Sequence, residues 1–211
     1  SNNSNNITIA SILDDAILES NETVIVTISG PTNATLGTNQ VYTYTINDND
    51  NAAVTIADVN GAENGGAITL TATLDNAVQG GFKVDVSSID GTATVGDSDY
   101  TSVSNETLTF AGTAGEMQTF TVTPTGDTKF EPGETITISQ GNLAATSLGV
   151  VITDGATVTI NNDDAVPTVT LSVDNSSIAE AAGTATLTAT LSNPTSSNVT
   201  VTVAYTGTAI N

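Results

Sequence analysis

The sequence contains no cysteine, no histidine and no tryptophan, and its only cationic side chains are Lys83 and Lys129. Each absence removes a class of chemistry. Without Cys there is no disulfide framework, and without Cys and His there is no thiolate or imidazole zinc site and no haem held by such ligands. A Ser-His-Asp or Cys-His nucleophile is excluded for the same reason. Two cations cannot neutralise the run of phosphates that a nucleic-acid interface requires, so no nucleic-acid partner is expected. The same deficit argues against anionic membranes and nucleotide cofactors. No apolar run approaches the ~20 residues of a membrane-spanning helix, so no direct membrane insertion is expected. The chain opens at Ser1 with neither Met nor a signal-peptide pattern, and reads as a window cut from a longer protein.

What remains is carboxylate, amide and hydroxyl chemistry. The 211 residues include 23 Asp and Glu, for a net charge of −21, and 40 Thr. Thr is β-branched and favours strands. With 18 Gly and few long helix formers, the composition predicts an all-β protein. High net charge alone can signal disorder, but a hydrophobic content of 38% in regular alternation does not fit that state.

The alternation has period 2, the signature of strands. From Ala67 to Leu74 apolar residues alternate with Thr, and from Phe82 to Val86 with Lys83 and Asp85. Leu108 and Phe110, Phe120 and Val122, Ile136 and Ile138, and Val158 and Ile160 repeat the pattern between Gly-, Asn-, Asp- and Pro-rich turns. No segment sustains a 3.6-residue period. Short strands at this spacing predict a β-sandwich.

The chain also repeats itself. Thr45–Asp50 matches Thr159–Asp164 at an offset of 114, and Asp15, Glu19 and Glu22 match Asp127, Glu131 and Glu134 at 112. Glu63 with the run 67–74 matches Glu180 with the run 185–191 at 117, and Gly91-Thr92-Ala93 matches Gly207-Thr208-Ala209 at 116. This divides the chain into the second half of one repeat (1–50), a whole repeat (52–164) and the first half of a third (166–211). Each half is expected to expose one side of a sandwich core and an unpaired strand edge. The junctions, Asn51 and Ala165-Val166-Pro167, are short, which predicts a stiff string.

Seven strands are predicted in the whole repeat: A near 53–58, B 67–74, C 82–89, D 107–110, E 117–124, F 134–139 and G 156–161. If each reverses direction, loops A–B, C–D and E–F and the exit of G share one pole. That pole receives Asp58, Glu63, Asp90, Asp97, Asp99, Asp127, Glu131, Glu134, Asp163 and Asp164, whereas the other receives Asp75, Glu116 and Asp154. Two like charges about 4 Å apart repel by roughly 4 kcal/mol at an effective dielectric of 20. Such a cluster splays apart in water or holds a cation. An all-oxygen donor set suits Ca²⁺, which takes 6–8 oxygens in flexible geometry; Mg²⁺ keeps more of its own water, and transition metals prefer the absent His and Cys. The alternative is that turns collect Asp and Asn in any acidic, soluble protein.

Four motifs in order carry a resemblance: Gly91-Thr92-Ala93-Thr94-Val95-Gly96-Asp97-Ser98-Asp99-Tyr100, Leu108-Thr109-Phe110-Ala111-Gly112, Asp127-Thr128-Lys129-Phe130-Glu131-Pro132-Gly133-Glu134-Thr135, and Ile160-Asn161-Asn162-Asp163-Asp164. They resemble the Calx-beta domain, found in tandem in sodium–calcium exchangers, integrin β4 and large bacterial surface adhesins. The resemblance implies immunoglobulin-like antiparallel β-sandwich repeats in tandem. It implies Ca²⁺ as cofactor, held in the whole repeat by Glu63, Asp99, Asp127, Glu131, Asp163 and Asp164, with Asp97 as a further candidate. In the flanking halves the matching candidates are Asp15, Glu19, Asp48 and Asp50, and Glu180. Two departures from the exchanger pattern, Gly126 in place of an Asp and Asn162 within an acidic run, predict fewer ions or weaker binding. The implied role is non-enzymatic: a calcium-binding structural repeat of a long extracellular adhesin, cell-surface or secreted, like those of biofilms or gliding bacteria. Its partners would be neighbouring repeats and an unspecified surface or cell target. The alternative is a module that itself grips glycan, ice or a host protein, with outward Thr arrays as the candidate ice face.

Other residues have structural readings. Tyr100 is expected to anchor the C–D loop in the core, and Gly133 after Pro132 to shape a turn. Sequons at Asn6, Asn21, Asn33, Asn105, Asn175 and Asn198 are expected by chance in a chain this rich in Asn and Thr. Paired carboxylates could serve glycoside hydrolysis, but turn positions without Trp offer no sugar cleft.

Overall fold

The computed structural model describes residues 4–9, 12–153, 155–181 and 183–208. The first half-repeat contributes β1 (Ile17–Leu18), β2 (Glu22–Thr27) and β3 (Val41–Ile46). The whole repeat contributes β4 (Ala53–Ile56), β5 (Val59–Ala62), β6 (Ile68–Leu74), β7 (Ala77–Val78), β8 (Phe82–Asp90), β9 (Tyr100–Thr101), β10 (Glu106–Phe110), β11 (Met117–Pro124), β12 (Glu134–Ala144), β13 (Val151–Ile152) and β14 (Ala156–Asn161). The last half contributes β15 (Val169–Val173) and β16 (Leu187–Leu191).

The whole repeat is an immunoglobulin-like sandwich of two five-stranded sheets, ordered β10-β8-β12-β14-β5 and β13-β4-β6-β11-β9. Predicted strands B to G correspond to β6, β8, β10, β11, β12 and β14. Their neighbouring pairs are antiparallel, including β6 with β11 and β8 with β12. The period-2 pattern sets the two faces. In β6, Ile68, Leu70, Ala72 and Leu74 point inward and Thr69 outward; in β8, Phe82, Val84 and Val86 point inward. Leu70, Leu74, Val84, Val86, Val122, Ile136, Ile138 and Val158 have no exposed surface. Burying each such side chain stabilises the fold by roughly 1.5–3 kcal/mol. Phe82 and Phe110, on neighbouring strands, stack with ring centroids 5.0 Å apart.

Strand A departs from the expected single strand at 53–58. Its first part, β4, pairs with β6 as far as Ile56; the chain then crosses to the other sheet, where β5 pairs in parallel with β14. The crossing brings the β5 backbone against Ile68, so that a Cβ on Gly61 would lie 2.6 Å from its Cγ1. Asp58 fastens the crossing by accepting the Thr157 N–H at 2.7 Å. Thr157 lies at the start of β14, so Asp58 belongs to the far end of that strand and not to the anionic pole where simple alternation put it. Asp154, assigned to the second pole, lies outside the described residues.

The core runs from Ala52 to Ile160, with Leu18 as its one contribution from outside that span among the described residues. The flanking hairpins β2–β3 and β15–β16 leave large apolar side chains in solvent, among them Ile25, Tyr42, Leu171 and Leu187.

Candidate metal centre

Four segments meet at one pole of the whole repeat: the short 3₁₀ turn Glu63–Gly65 after β5, the loop between β8 and β10, the turn between β11 and β12, and the exit of β14. Local chemistry holds each in place. In Gly91-Thr92-Ala93 the first residue passes so close to β12 that a Cβ would lie 2.4 Å from Thr135 O. Thr92 Oγ1 accepts the Thr135 N–H at 2.8 Å, and the Ala93 N–H donates to Thr135 O at 3.1 Å. The motif therefore ties the loop to the head of β12. Tyr100 is buried and its hydroxyl donates to Asp90 Oδ1 at 2.7 Å; burial, then the bond to Asp90, raises the phenol pKa. Asp90 also accepts the Val95 N–H, so its carboxylate serves the loop. Tyr100 is thus the core anchor its position suggested. Gly133 has no left-handed backbone conformation, and a Cβ there would make ordinary contact with Ile160 O at 3.5 Å; the turn does not depend on glycine.

The β11–β12 turn is stitched to the other loops by carboxylates and amides. The Asp127 N–H donates to Glu63 Oε1 at 3.0 Å, the Lys129 N–H to Asp127 Oδ1 at 2.6 Å, and the Glu131 N–H to Asn162 Oδ1 at 3.1 Å. Asn162 also donates through Nδ2 to Asp164 O at 3.1 Å. An Asp there could accept but not donate, so the amide in this acidic run is a two-way clamp. The other departure has an equally local cause. A Cβ on Gly126 would fall 1.7 Å from Asn64 Oδ1, and Asn64 uses its Nδ2 to donate to Asp163 Oδ1 at 2.7 Å. Asn64 occupies the space that a side chain at 126 would need.

Two carboxylate triads result: Glu63, Asp127 and Asp164; and Asp99, Glu131 and Glu134. Within each, one oxygen from every residue lies within 4.8 Å of the others. Glu63 is 7% and Glu131 8% exposed, unusual for carboxylates, which are seldom buried without a partner. Burial, reinforced by Asp127, Asp164 and Glu131, raises the Glu63 pKa against the opposing pull of the Asp127 N–H. Burial and the charges of Asp163, Asp127 and Glu131 raise that of Asp164. Glu134 is pushed up to about 7, first by burial and then by Asp99 and Glu131, with Lys129 opposing. Lys129 is the cation of this pole. Its Nζ lies 2.5 Å from Glu131 Oε1, and that bond holds its own pKa up.

Asp164 Oδ2 is buried and has no hydrogen-bond partner. A buried carboxylate oxygen without a donor is costly, and its residue belongs to a triad of like charges. A divalent cation coordinated by the triad would satisfy it. The donors are all hard oxygens, which fits Ca²⁺.

Of the predicted ligands, Glu63, Asp99, Asp127, Glu131 and Asp164 fall in the triads. Asp163 sits beside them but is held by Asn64, accepting from its Nδ2 and its N–H. Asp97 is exposed, outside both triads, with its N–H donating to Thr94 Oγ1. Asp15, Glu19, Asp48 and Asp50 line one hollow with Asp14 and Glu22. Burial, then neighbouring acids, raises the pKa values of Glu19 and Asp50. Among the described residues, however, only the two triads of the whole repeat reach 4.8 Å spacing. Residues 1–50 hold counterparts of the β11–β12 turn and the β14 exit but none of Glu63 or Asp99. Glu180, the counterpart of Glu63, is exposed on a turn. The predicted ligand set omits Glu134, which the structure brings into the second triad. Its signal was present in the repeat, where Glu22 and Glu134 occupy the same place after Glu19 and Glu131.

A β-sandwich with its loop carboxylates gathered in two triads at one pole has the donor set that could hold a cation. The sequence matches the Calx-beta domain over residues 2–60, 47–164 and 162–210, and the chain belongs to that family of calcium-binding domains. Among solved structures it is similar to the apo form of the Calx CBD1 domain, at 24% identity over 55% of this chain and 100% of that one, with a TM-score of 0.46. CBD12 from CALX1.2 is 24% identical over 53% of this chain and 46% of that one, at 0.47. The calcium binding domain CBD12 of CALX1.1 is 22% identical over 55% and 50%, at 0.46. No match was found among curated proteins.

Proposed function

We propose that the chain is a non-enzymatic calcium-binding segment of a long extracellular surface protein of the adhesin type, in which tandem repeats form a stalk that calcium stiffens. The observation that carries the calcium reading is the pairing of two carboxylate triads with the donorless, buried oxygen of Asp164. Glu63, Asp127 and Asp164 would hold one ion, and Asp99, Glu131 and Glu134 another; bound calcium supplies a charge that cancels the repulsion between loops. Asp127 and Glu131 lie on the same turn, so the two groups would act together on it. The mechanical role is supported by the tandem repeat and by junctions of one to three residues. Among the described residues no helix is long and apolar enough to cross a membrane.

Thermal unfolding in EDTA and in millimolar calcium tests the reading. Extracellular modules bind calcium at about 10⁻⁴–10⁻³ M, and an ion at 100-fold over its Kd adds about 2.7 kcal/mol to the folded state. A shift of several degrees upward with calcium is expected; coincident melting curves would refute the metal site.

A further inference from the structure

The two junctions of the chain make the same contacts on equivalent atoms. At the first, β1 pairs in parallel with β7, Ile17 opposite Ala77 and Leu18 opposite Val78. The Gln79 N–H donates to Leu18 O at 2.9 Å, and Asn76 Nδ2 donates to Asn51 O, in the linker, at 3.0 Å. At the second, Phe130 forms a parallel bridge with Thr195. The Ser196 N–H donates to Phe130 O at 3.1 Å, the Phe130 N–H donates to Pro194 O at 2.9 Å, and Asn193 Nδ2 donates to the linker carbonyl of Ala165 at 2.9 Å. Leu18 and Phe130 are 112 apart, Asn51 and Ala165 are 114 apart, and Asn76, Val78 and Gln79 lie 117 before Asn193, Thr195 and Ser196. These are the offsets at which the same segments repeat in the sequence, so the register is the same at both junctions.

The side chains differ: Leu18 and Val78 are buried in the core, whereas their counterparts Phe130 and Thr195 are half-buried. What recurs is main-chain pairing plus one Asn amide on the linker. Pro194 stands where only a carbonyl is needed, so its missing N–H costs nothing. Recognition through main-chain hydrogen bonds is the logic of strand addition. We propose that the turn between strands E and F of each repeat is a docking edge whose partner is the loop between strands B and C of the following repeat. This pairing, clamped by the Asn on the linker, fixes a single, one-way stacking orientation along the tandem chain. A linker of one to three residues limits separation but leaves rotation open; the bridge removes it. The recurring hydrogen bonds themselves involve no carboxylate.

The absence of cysteine makes paired spin labels straightforward on the full chain. Labels at Thr43→Cys and Thr119→Cys span the first junction, and at Thr119→Cys and Thr188→Cys the second. All three positions are exposed. Electron–electron distance measurement, in EDTA and in calcium, is expected to give one narrow peak across each junction in at least one of the two conditions. Gln79→Pro, which deletes the donor to Leu18 O together with the side-chain bond to Glu19, should abolish the narrow peak at the first junction only, and Gln79→Ala, which removes only the side-chain bond, should keep it. Ser196→Pro should abolish the narrow peak at the second junction only. Asn76→Ala and Asn193→Ala, which leave the backbone donors intact, should broaden their own junction's peak less, and circular dichroism checks that each variant is folded. Broad distributions in both conditions for the unsubstituted chain, or narrow peaks that survive the Pro and Asn substitutions in folded protein, would overturn the proposal. A calorimetrically silent calcium titration would refute the metal site and leave these distances to be judged alone.

Discussion

The two poles of the whole repeat place carboxylates in turns of the same sandwich and use them in opposite ways. At the far pole, Glu116 accepts the N–H groups of Ala111, Gly112 and Thr113 and the Gln118 amide, at 2.9 to 3.3 Å. Burial works against its charge, but these donors outweigh it and hold its pKa down. Asp75 accepts the N–H groups of Ala53 and Asn76, both at 2.6 Å. Both acids are satisfied by donors, Glu116 within its own loop and Asp75 partly across to the start of β4. At the near pole Glu63, Glu134 and Asp164 face other carboxylates, with Lys129 as the one nearby counter-charge among the described residues, and their pKa values are raised. An acidic turn residue is therefore a ligand candidate where it converges with other carboxylates, as in the two triads, and not merely because it is acidic.

The largest expected contrast is in stability. Glu116→Ala strips acceptors from three loop N–H groups, of which that of Gly112 is part-buried, and a buried donor left unsatisfied costs about 1–3 kcal/mol. Chemical denaturation should show this loss equally in EDTA and in calcium. Glu63→Gln, by contrast, is expected to leave stability in EDTA unchanged or higher, because it relieves repulsion, and to lower it only in calcium. Loss of equal size for both substitutions in EDTA would erase the distinction between the poles.

Acid titration sharpens the same contrast through opposite signs. Glu134 has a folded pKa of about 7, above the ordinary value of ~4.3. The folded chain then holds a proton that the unfolded chain releases, so stability from this group is fully present below about 4.3 and is lost as pH rises through about 7. Glu63 and Asp164 act in the same direction. Glu116 is lowered, so its contribution is present above about 4.3 and is lost as pH falls below it. In EDTA the melting temperature should rise on going from pH 8 to 5 and fall again in stronger acid. Calcium, which the proposal places on the ionised triads, should move the maximum to neutral pH. A melting temperature in EDTA that climbs steadily from pH 5 to 8 would contradict the raised carboxylates.

Much of this was legible in the sequence, for a physical reason. Strand position follows from period-2 burial, which is local: the predicted limits of E and G, 117–124 and 156–161, are those of β11 and β14. Once the strands alternate in direction, the pole of each loop follows by parity, and Glu63, Asp99, Asp127, Glu131 and Asp164 converge as that parity requires. What was not legible depends on contacts between distant segments. The sheet switch at Asp58 rests on pairing with β14, about a hundred residues later, and has no local marker beyond Gly61. Asp163 and Asp164 are adjacent and chemically alike, yet Asn64 takes one and leaves the other without a donor. Glu134 reads as the first residue of a strand, and only the approach of the loop carrying Asp99 makes it part of a triad.

The smallest expected effect concerns Lys129. Its ammonium already neutralises Glu131, and an ion at that triad must compete with it. An exposed or half-buried ion pair contributes about 0.2–1 kcal/mol, so Lys129→Ala should tighten calcium binding by up to about fivefold in a calorimetric titration. Weaker binding in this variant would mean that the lysine supports the site instead of competing for it.

Calcium titration of the 211-residue chain and four variants, followed by calorimetry, tests the asymmetry of the poles most directly. Glu131→Ala and Asp164→Ala should each lower affinity by tenfold or more, a loss of about 1.4 kcal/mol or greater, while Asp75→Ala and Glu116→Ala bind as the unsubstituted chain does. No binding heat in any of the five proteins, or equal losses at both poles, would contradict the account.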